Sequence, residues 1–226
     1  MNNENKTNIN WYPGHMLKTK KQIMEDIKLI DVVVEILDAR IPVSSRNPDM
    51  QKIIQNKKRI VILNKSDLAE EKETAKWLDY YKKNGIKAII ADSNLGKGIK
   101  ESLKQIENIM EEDMQKAALK GRIKKNIRIM IIGIPNVGKS SYINRLSSKK
   151  IAVVGNRPGV TRQKQWVRIA NNIELLDTPG VLWPKFEDKK VALNLSYTGS
   201  IKDEVLETVE IGFNLLTYYI KTIFQI

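Results

Sequence analysis

The stretch that decides the fold is Asn126–Tyr142, NIRIMIIGIPNVGKSSY. Ile127, Ile129, Met130, Ile131 and Ile132 make a short apolar run, the pattern of a strand buried on both faces. The run enters Gly133-Ile134-Pro135-Asn136-Val137-Gly138-Lys139-Ser140, a full match to the phosphate-loop pattern in its strand-to-helix setting. Each part answers a chemical need. The glycines let the backbone wrap close to a phosphate chain. The loop N–H groups, from Asn136 and Val137 through Gly138 to Ser141, and the helix N-terminus behind them favour negative charge. Lys139 reaches for β and γ phosphates, and the Ser140 hydroxyl is a ligand for Mg²⁺.

Working outward, three other strand ends carry polar motifs. Arg59 to Leu63 reads as a buried strand that delivers Asn64-Lys65-Ser66-Asp67. A carboxylate at Asp67 can accept from guanine N1–H and the exocyclic 2-amine together, whereas adenine offers no such pair. Lys87 to Ala91 is the next strand, and Ser93-Asn94 after it is placed to add a backbone N–H to the guanine oxygen. Ile173 to Leu176 ends in Asp177-Thr178-Pro179-Gly180. Asp177 can hold Mg²⁺ through water, the Gly180 N–H can sense the γ-phosphate, and Thr161 can place a hydroxyl on the same ion. Each short motif alone is weak, and their joint placement carries the argument.

The rest of the chain follows the same rhythm. Leu17 to Ile30 has helical apolar spacing, and Asp31 to Asp38 (DVVVEILD) is a β-branched strand. Helices are expected over 47–55, 69–84, 99–119, 184–196 and from Ile201 to the end, with a hairpin around Asn171-Asn172. Strands alternating with helices, and ligand motifs at strand C-termini, imply an open α/β domain with a mostly parallel sheet and three layers, of the phosphate-loop NTPase kind. The motif order is unusual: the base-reading loop precedes the phosphate loop. A circular permutation explains this without changing the sheet, with the new termini at surface positions that tolerate cutting.

Composition narrows the partners. The formal net charge is +13, and residues 114–173 contain fourteen Lys and Arg but no acid. One lysine is explained by a nucleotide, and the other thirteen suggest a polyanion, most simply RNA. A basic surface can also serve solubility or face acidic lipid. With no cysteine, disulfides and thiolate zinc sites are excluded. Residues 1–10 lack the apolar core of a signal peptide. Ile211 to Ile226 is too short to span a bilayer and is broken by Lys221, so a buried helix is expected there.

Trp11-Tyr12-Pro13-Gly14-His15-Met16, Asp38-Ala39-Arg40, Arg46-Asn47-Pro48, Asn64 to Asp67, Gly133 to Ser140, Asp177 to Gly180 and Ile201-Lys202-Asp203-Glu204 together resemble the YlqF/RbgA family, over residues 11–210. That family comprises circularly permuted GTPases of ribosome biogenesis. The resemblance implies binding and hydrolysis of GTP, with GDP as product, in late maturation of the large (50S) ribosomal subunit in the cytoplasm. It implies a precursor subunit as partner; apart from the resemblance, a monomer with no membrane partner is expected. It divides the chain into an N-terminal segment (1–30), a permuted GTPase domain (31–198) and the start of a C-terminal helical domain (199–226), shorter here than is usual in the family. Rival readings are a GTP-dependent RNA clamp with negligible hydrolysis, a phosphate-loop kinase and a tRNA-modification GTPase.

Two residues stay open on chemistry alone. Many GTPases orient the attacking water with a glutamine after the D-x-x-G glycine, but here Val181 and Leu182 follow, and neither can hydrogen-bond. His15, the only histidine, is the alternative catalytic group; it could equally cap or pack a turn, and the resemblance implies the catalytic role. Asn136 is either a ligand for K⁺ beside the phosphates or a loop asparagine tolerating its backbone angle.

Overall fold

The computed structural model describes residues 14–121, 126–147, 166–170, 172–176, 188–201 and 208–224. In chain order the elements are α1 (Gly14–Asp26), β1 (Val32–Asp38), α2 (Pro48–Ile54), β2 (Lys58–Asn64), α3 (Glu71–Lys83), β3 (Lys87–Ile90), α4 (Ile99–Leu119), β4 (Ile127–Ile132), α5 (Lys139–Leu146), β5 (Trp166–Ala170), β6 (Ile173–Leu176), α6 (Lys189–Tyr197) and α7 (Thr208–Phe224). The strands form one sheet in the order β3-β2-β1-β4-β6-β5. All neighbours are parallel except the β5–β6 hairpin. Parallel pairing aligns the C-terminal ends, so Asp38 lies opposite Asn64, and the loops after β1, β2, β3 and β4 leave one edge together.

Alternation along the strands builds two packed faces. Val61 and Leu63 of β2, with Leu37 of β1, meet Tyr81, Trp77 and Leu78 of α3. Ile60 and Ile62 point the other way, into the larger cluster that includes Ile99 and Ile106 of α4. This is the expected three-layer arrangement. Ile23, Ile27 and Ile30, spaced along α1 and the 3₁₀ turn after it, enter the same large cluster. The helix ends at Asp26 rather than Ile30, because the last turn tightens over Ile27–Leu29.

β1 carries one carboxylate into the apolar sheet. Glu35 is 2 % exposed. Gln51 Nε2 donates to Glu35 Oε1 at 2.5 Å, Arg59 donates to Gln51 Oε1 at 2.7 Å, and Arg46 Nε lies 3.4 Å from Glu35 Oε1. Burial pushes the Glu35 carboxyl above its ordinary range, against the pull of Arg46 and Arg59. This network ties α2 and the loop before it to β1. Asn47 adds a cap, accepting from the N–H groups of Asp49 and Met50 at the start of α2.

The C-terminal region departs from expectation. The apolar stretch forms α7 but leaves Val209, Phe213, Leu216 and Tyr218 more than half exposed. Among the described residues α7 lies against α6, with Lys189 Nζ 3.1 Å from Glu210. No helix among the described residues is long and apolar enough to cross a membrane.

The packing of α4 yields a direct check. Ile106 is fully buried, whereas Leu119 on the same helix is 88 % exposed. In urea denaturation, Ile106→Ala is expected to lose about 2–5 kcal/mol, while Leu119→Ala should stay within about 0.5 kcal/mol of the parent.

Candidate nucleotide site

The loops at the C-terminal edge of the sheet enclose a cleft of about 580 Å³. Its walls include Asn64, Lys65, Asp67, Ser93, Asn94, Asn136, Gly138, Lys139, Ser140 and Ser141, so motifs far apart in sequence converge. Ser66 and Val137 support the walls through their backbones: the Ser66 N–H donates to Ala91 O at 3.1 Å, and Val137 O accepts from Asn64.

The phosphate loop is shaped by its own backbone. Gly138 has φ +97 and caps α5, and Asn136 has φ +58. A Cβ at Gly138 would come within 2.2 Å of Asn64 Nδ2, so only glycine leaves room for that side chain. Ser140, in the first turn of α5, is exposed toward the cleft. Lys139 Nζ donates to Ile134 O at 3.0 Å, which folds the side chain across the loop. The Asn136 side chain donates to Gly199 O at 2.6 Å, which joins the phosphate loop to the segment after α6. Thr198, at the end of α6, also lines the cleft.

Asn64 links the halves of the site. It is 2 % exposed; its Nδ2 donates to Val137 O at 2.9 Å, and its Oδ1 accepts from the N–H and Oγ of Ser93 at 3.0 and 2.7 Å. The backbone N–H groups of Ser93 and Asn94 were expected to face a base. Instead, Ser93 donates to Asn64, and Asn94 donates to Asp92 Oδ1 at 2.8 Å. For Asn94 the physical reason is local: Asp92 forms an Asx turn that also takes the Leu95 N–H. Arg145, in the last turn of α5, holds this loop from outside by donating to the carbonyls of Ser93 and Asn94.

The base-reading turn rests on β1. Lys65 has φ +59, a left-handed backbone that few lysines adopt. Its Nζ lies 3.1 Å from Asp38 Oδ2. Asp38 is fully buried and also receives Arg40, whose Nε and Nη2 donate at 2.9 and 2.7 Å and whose N–H donates at 3.1 Å. Burial alone would raise the Asp38 carboxyl, but the Arg40 hydrogen bonds and the two cations hold it below its ordinary range. Sequence reasoning used Asp38-Ala39-Arg40 for likeness alone and missed this role. The signal was present, since an acid ending an apolar strand sits at the same sheet edge as Asn64 to Asp67.

The remaining expected residues are less fully placed. His15 lies, by backbone, in the first turn of α1, and its side chain is outside what the structure describes. Thr161, Asp177 and Gly180 lie outside the described residues. Among those described, no group of three His, Cys, Asp or Glu side chains could hold a metal ion.

Comparison with known proteins agrees with this geometry. Residues 128–222 match the model of a family described as 50S ribosome-binding GTPase. The chain is 52 % identical over 211 residues to ribosome biogenesis GTPase A of Priestia megaterium, covering 93 % of this chain and 73 % of that protein. It is 35 % identical to the Thermotoga maritima protein of the same name, covering 88 % and 69 %. Among solved structures, GNP-bound YlqF from T. maritima superposes with a TM-score of 0.68 at 30 % identity, covering 91 % of this chain and 76 % of that one. A GDP-bound YlqF structure gives 0.65, also at 30 % identity, covering 89 % and 76 %. A permuted motif order, laid on a sheet whose loops close one cleft, thus places this chain in the ribosome biogenesis GTPase A family.

Proposed function

We propose that this GTPase binds guanine nucleotide in the cleft and hydrolyses GTP during late assembly of the large ribosomal subunit in the cytoplasm. One observation carries the reading: Asn64 joins the base-reading turn to the phosphate loop at 2.9 Å, so the two motifs act on one molecule. Asp67 accepts from the guanine edge, with Asn64, Lys65 and Ser66 shaping the turn and Ser93 and Asn94 closing it. Asn136 to Ser141 hold the phosphates through backbone N–H groups, and Lys139 supplies the charge. Ser140, Thr161 and Asp177 would hold Mg²⁺, which would supply neutralisation of the charge that develops on the phosphates. Gly180 senses the γ-phosphate.

The Asn136 side chain spends its Nδ2 on Gly199, which leaves its Oδ1 as an acceptor beside the phosphates. That oxygen suits K⁺. His15 orients the attacking water, because Val181 and Leu182 cannot. The basic surplus of residues 114–173 faces rRNA of the precursor subunit, to which the protein binds as a monomer. The segment from residue 199 onward, with α7, begins a C-terminal helical part.

Three experiments test these roles. The protein should co-sediment with precursor large subunits when loaded with a non-hydrolysable GTP analogue and be released with GDP; equal retention in both states would contradict the assembly role. His15→Ala should lower subunit-stimulated GTP turnover by about 100-fold or more, with GTP affinity within about two-fold of the parent. Turnover should be at least about ten-fold faster in K⁺ than in Na⁺ buffer, and equal rates would remove the monovalent site.

A further inference from the structure

The segment that follows α6 belongs to none of the nucleotide motifs, yet it borders the phosphate end of the cleft. α6 closes in a Schellman motif: the Gly199 N–H donates to Ser196 O at 2.9 Å, and the Ser200 N–H donates to Leu195 O at 2.8 Å. Thr198 is the C-cap, and Gly199 follows it at φ +69. The turn is anchored on both sides. Leu195 before it and Ile201 after it are buried in the main core cluster, and Ser200 is buried between them. Asn194 ties the same end of the helix to the β1 side by donating to Ser44 Oγ at 2.9 Å. The Gly199 carbonyl is thereby held at one place, and Asn136 Nδ2 donates to it at 2.6 Å.

That bond decides which way a carboxamide faces. An asparagine amide presents an acceptor oxygen on one side and two donor N–H groups on the other, and a half-turn about its last torsion exchanges them. A backbone carbonyl can only accept. Gly199 O therefore selects the rotation in which the Asn136 nitrogen faces the end of α6 and the oxygen is left for the cleft, which Asn136 lines together with Thr198. In the exchanged rotation the N–H groups would take the place of the oxygen, and a cation there would be repelled.

We propose that the turn closing α6 is a positioning element for GTP hydrolysis: the Gly199 carbonyl orients the Asn136 carboxamide so that its oxygen meets a monovalent cation beside the phosphates. This rests on reading Asn136 as a ligand for K⁺. Gly199 acts through Asn136 and not on the nucleotide, so its effect falls on the response to the cation and not on the grip on the diphosphate.

Gly199 is a clean probe, because a Cβ there would meet nothing within 4 Å, and a substitution acts through the backbone angle and not through crowding. Asparagine tolerates that left-handed angle better than alanine. Single-turnover GTP hydrolysis is measured against K⁺ concentration at constant ionic strength for the parent, Gly199→Ala and Gly199→Asn, with GDP affinity and melting temperature alongside. Gly199→Ala should raise the K⁺ concentration at half-maximal rate by about three- to ten-fold, the worth of one hydrogen bond, with GDP affinity within about two-fold of the parent. Gly199→Asn should lie closer to the parent although its side chain is larger. Asn194→Ala, which frees the turn from Ser44, should move the K⁺ midpoint in the same direction by a smaller factor, and it serves as the main variant if Gly199→Ala does not fold. A lower melting temperature with the parent's K⁺ midpoint would overturn the proposal and leave the cation reading standing, as would a parallel loss of GDP affinity. Equal rates of the parent in K⁺ and Na⁺ would overturn both.

Discussion

Asn64 donates to the carbonyl of Val137 and accepts from the N–H and hydroxyl of Ser93, and these bonds hold three loops at fixed separation. Each loop leaves a different strand, so the carboxamide joins groups the sheet has only brought near. The constraint runs in both directions. Gly138 must lack a side chain because the Asn64 amide occupies that space, and Ser93 cannot offer its N–H elsewhere while Asn64 holds it. A buried amide left with unpaired groups costs about 1–3 kcal/mol for each. The base-reading turn, the phosphate loop and the loop after β3 are therefore one mechanical unit.

Around this unit the fold places a second tier of ties. Arg145 connects the far end of α5 to the carbonyls of Ser93 and Asn94, while the near end of α5 carries Lys139 and Ser140. One helix thus spans phosphate end and base end. Asn136 reaches Gly199, and Asn194 of α6 donates to Ser44 in the loop between β1 and α2. α6 and the segment after it consequently contact both the phosphate loop and the β1 side of the cleft. Permutation puts these residues downstream of Asp177 to Gly180 in the chain.

Much of this was legible in the sequence, for identifiable reasons. The phosphate loop, the Asn64 to Asp67 turn and the strands before them rest on local chemistry: apolar β-branched runs, glycines at special angles, and polar residues at strand ends. The bonds that turn motifs into a site were not legible, because they cross large sequence distances. The strand-end position of Asp38 pointed to the edge it shares with Asn64 to Asp67 but not to Lys65 as its partner, and nothing in Asn136 announces Gly199. The Asx turn at Asp92 had a local signal in Asp92-Ser93-Asn94, whereas the capture of the Ser93 N–H by Asn64 is a long-range tie. The exposure of α7 was missed because apolar composition says what prefers burial, not whether the fold covers it.

The central claim is that one guanine nucleotide spans the cleft from the β2 loop to the start of α5. A crystal structure of the protein grown with GDP and Mg²⁺ tests it most directly. The account predicts a single nucleotide with its base edge within hydrogen-bond distance of Asp67 and its diphosphate on the N–H groups of Gly138 to Ser140 and on Lys139. A nucleotide bound elsewhere, or one that leaves either Asp67 or Lys139 out of reach, would contradict it.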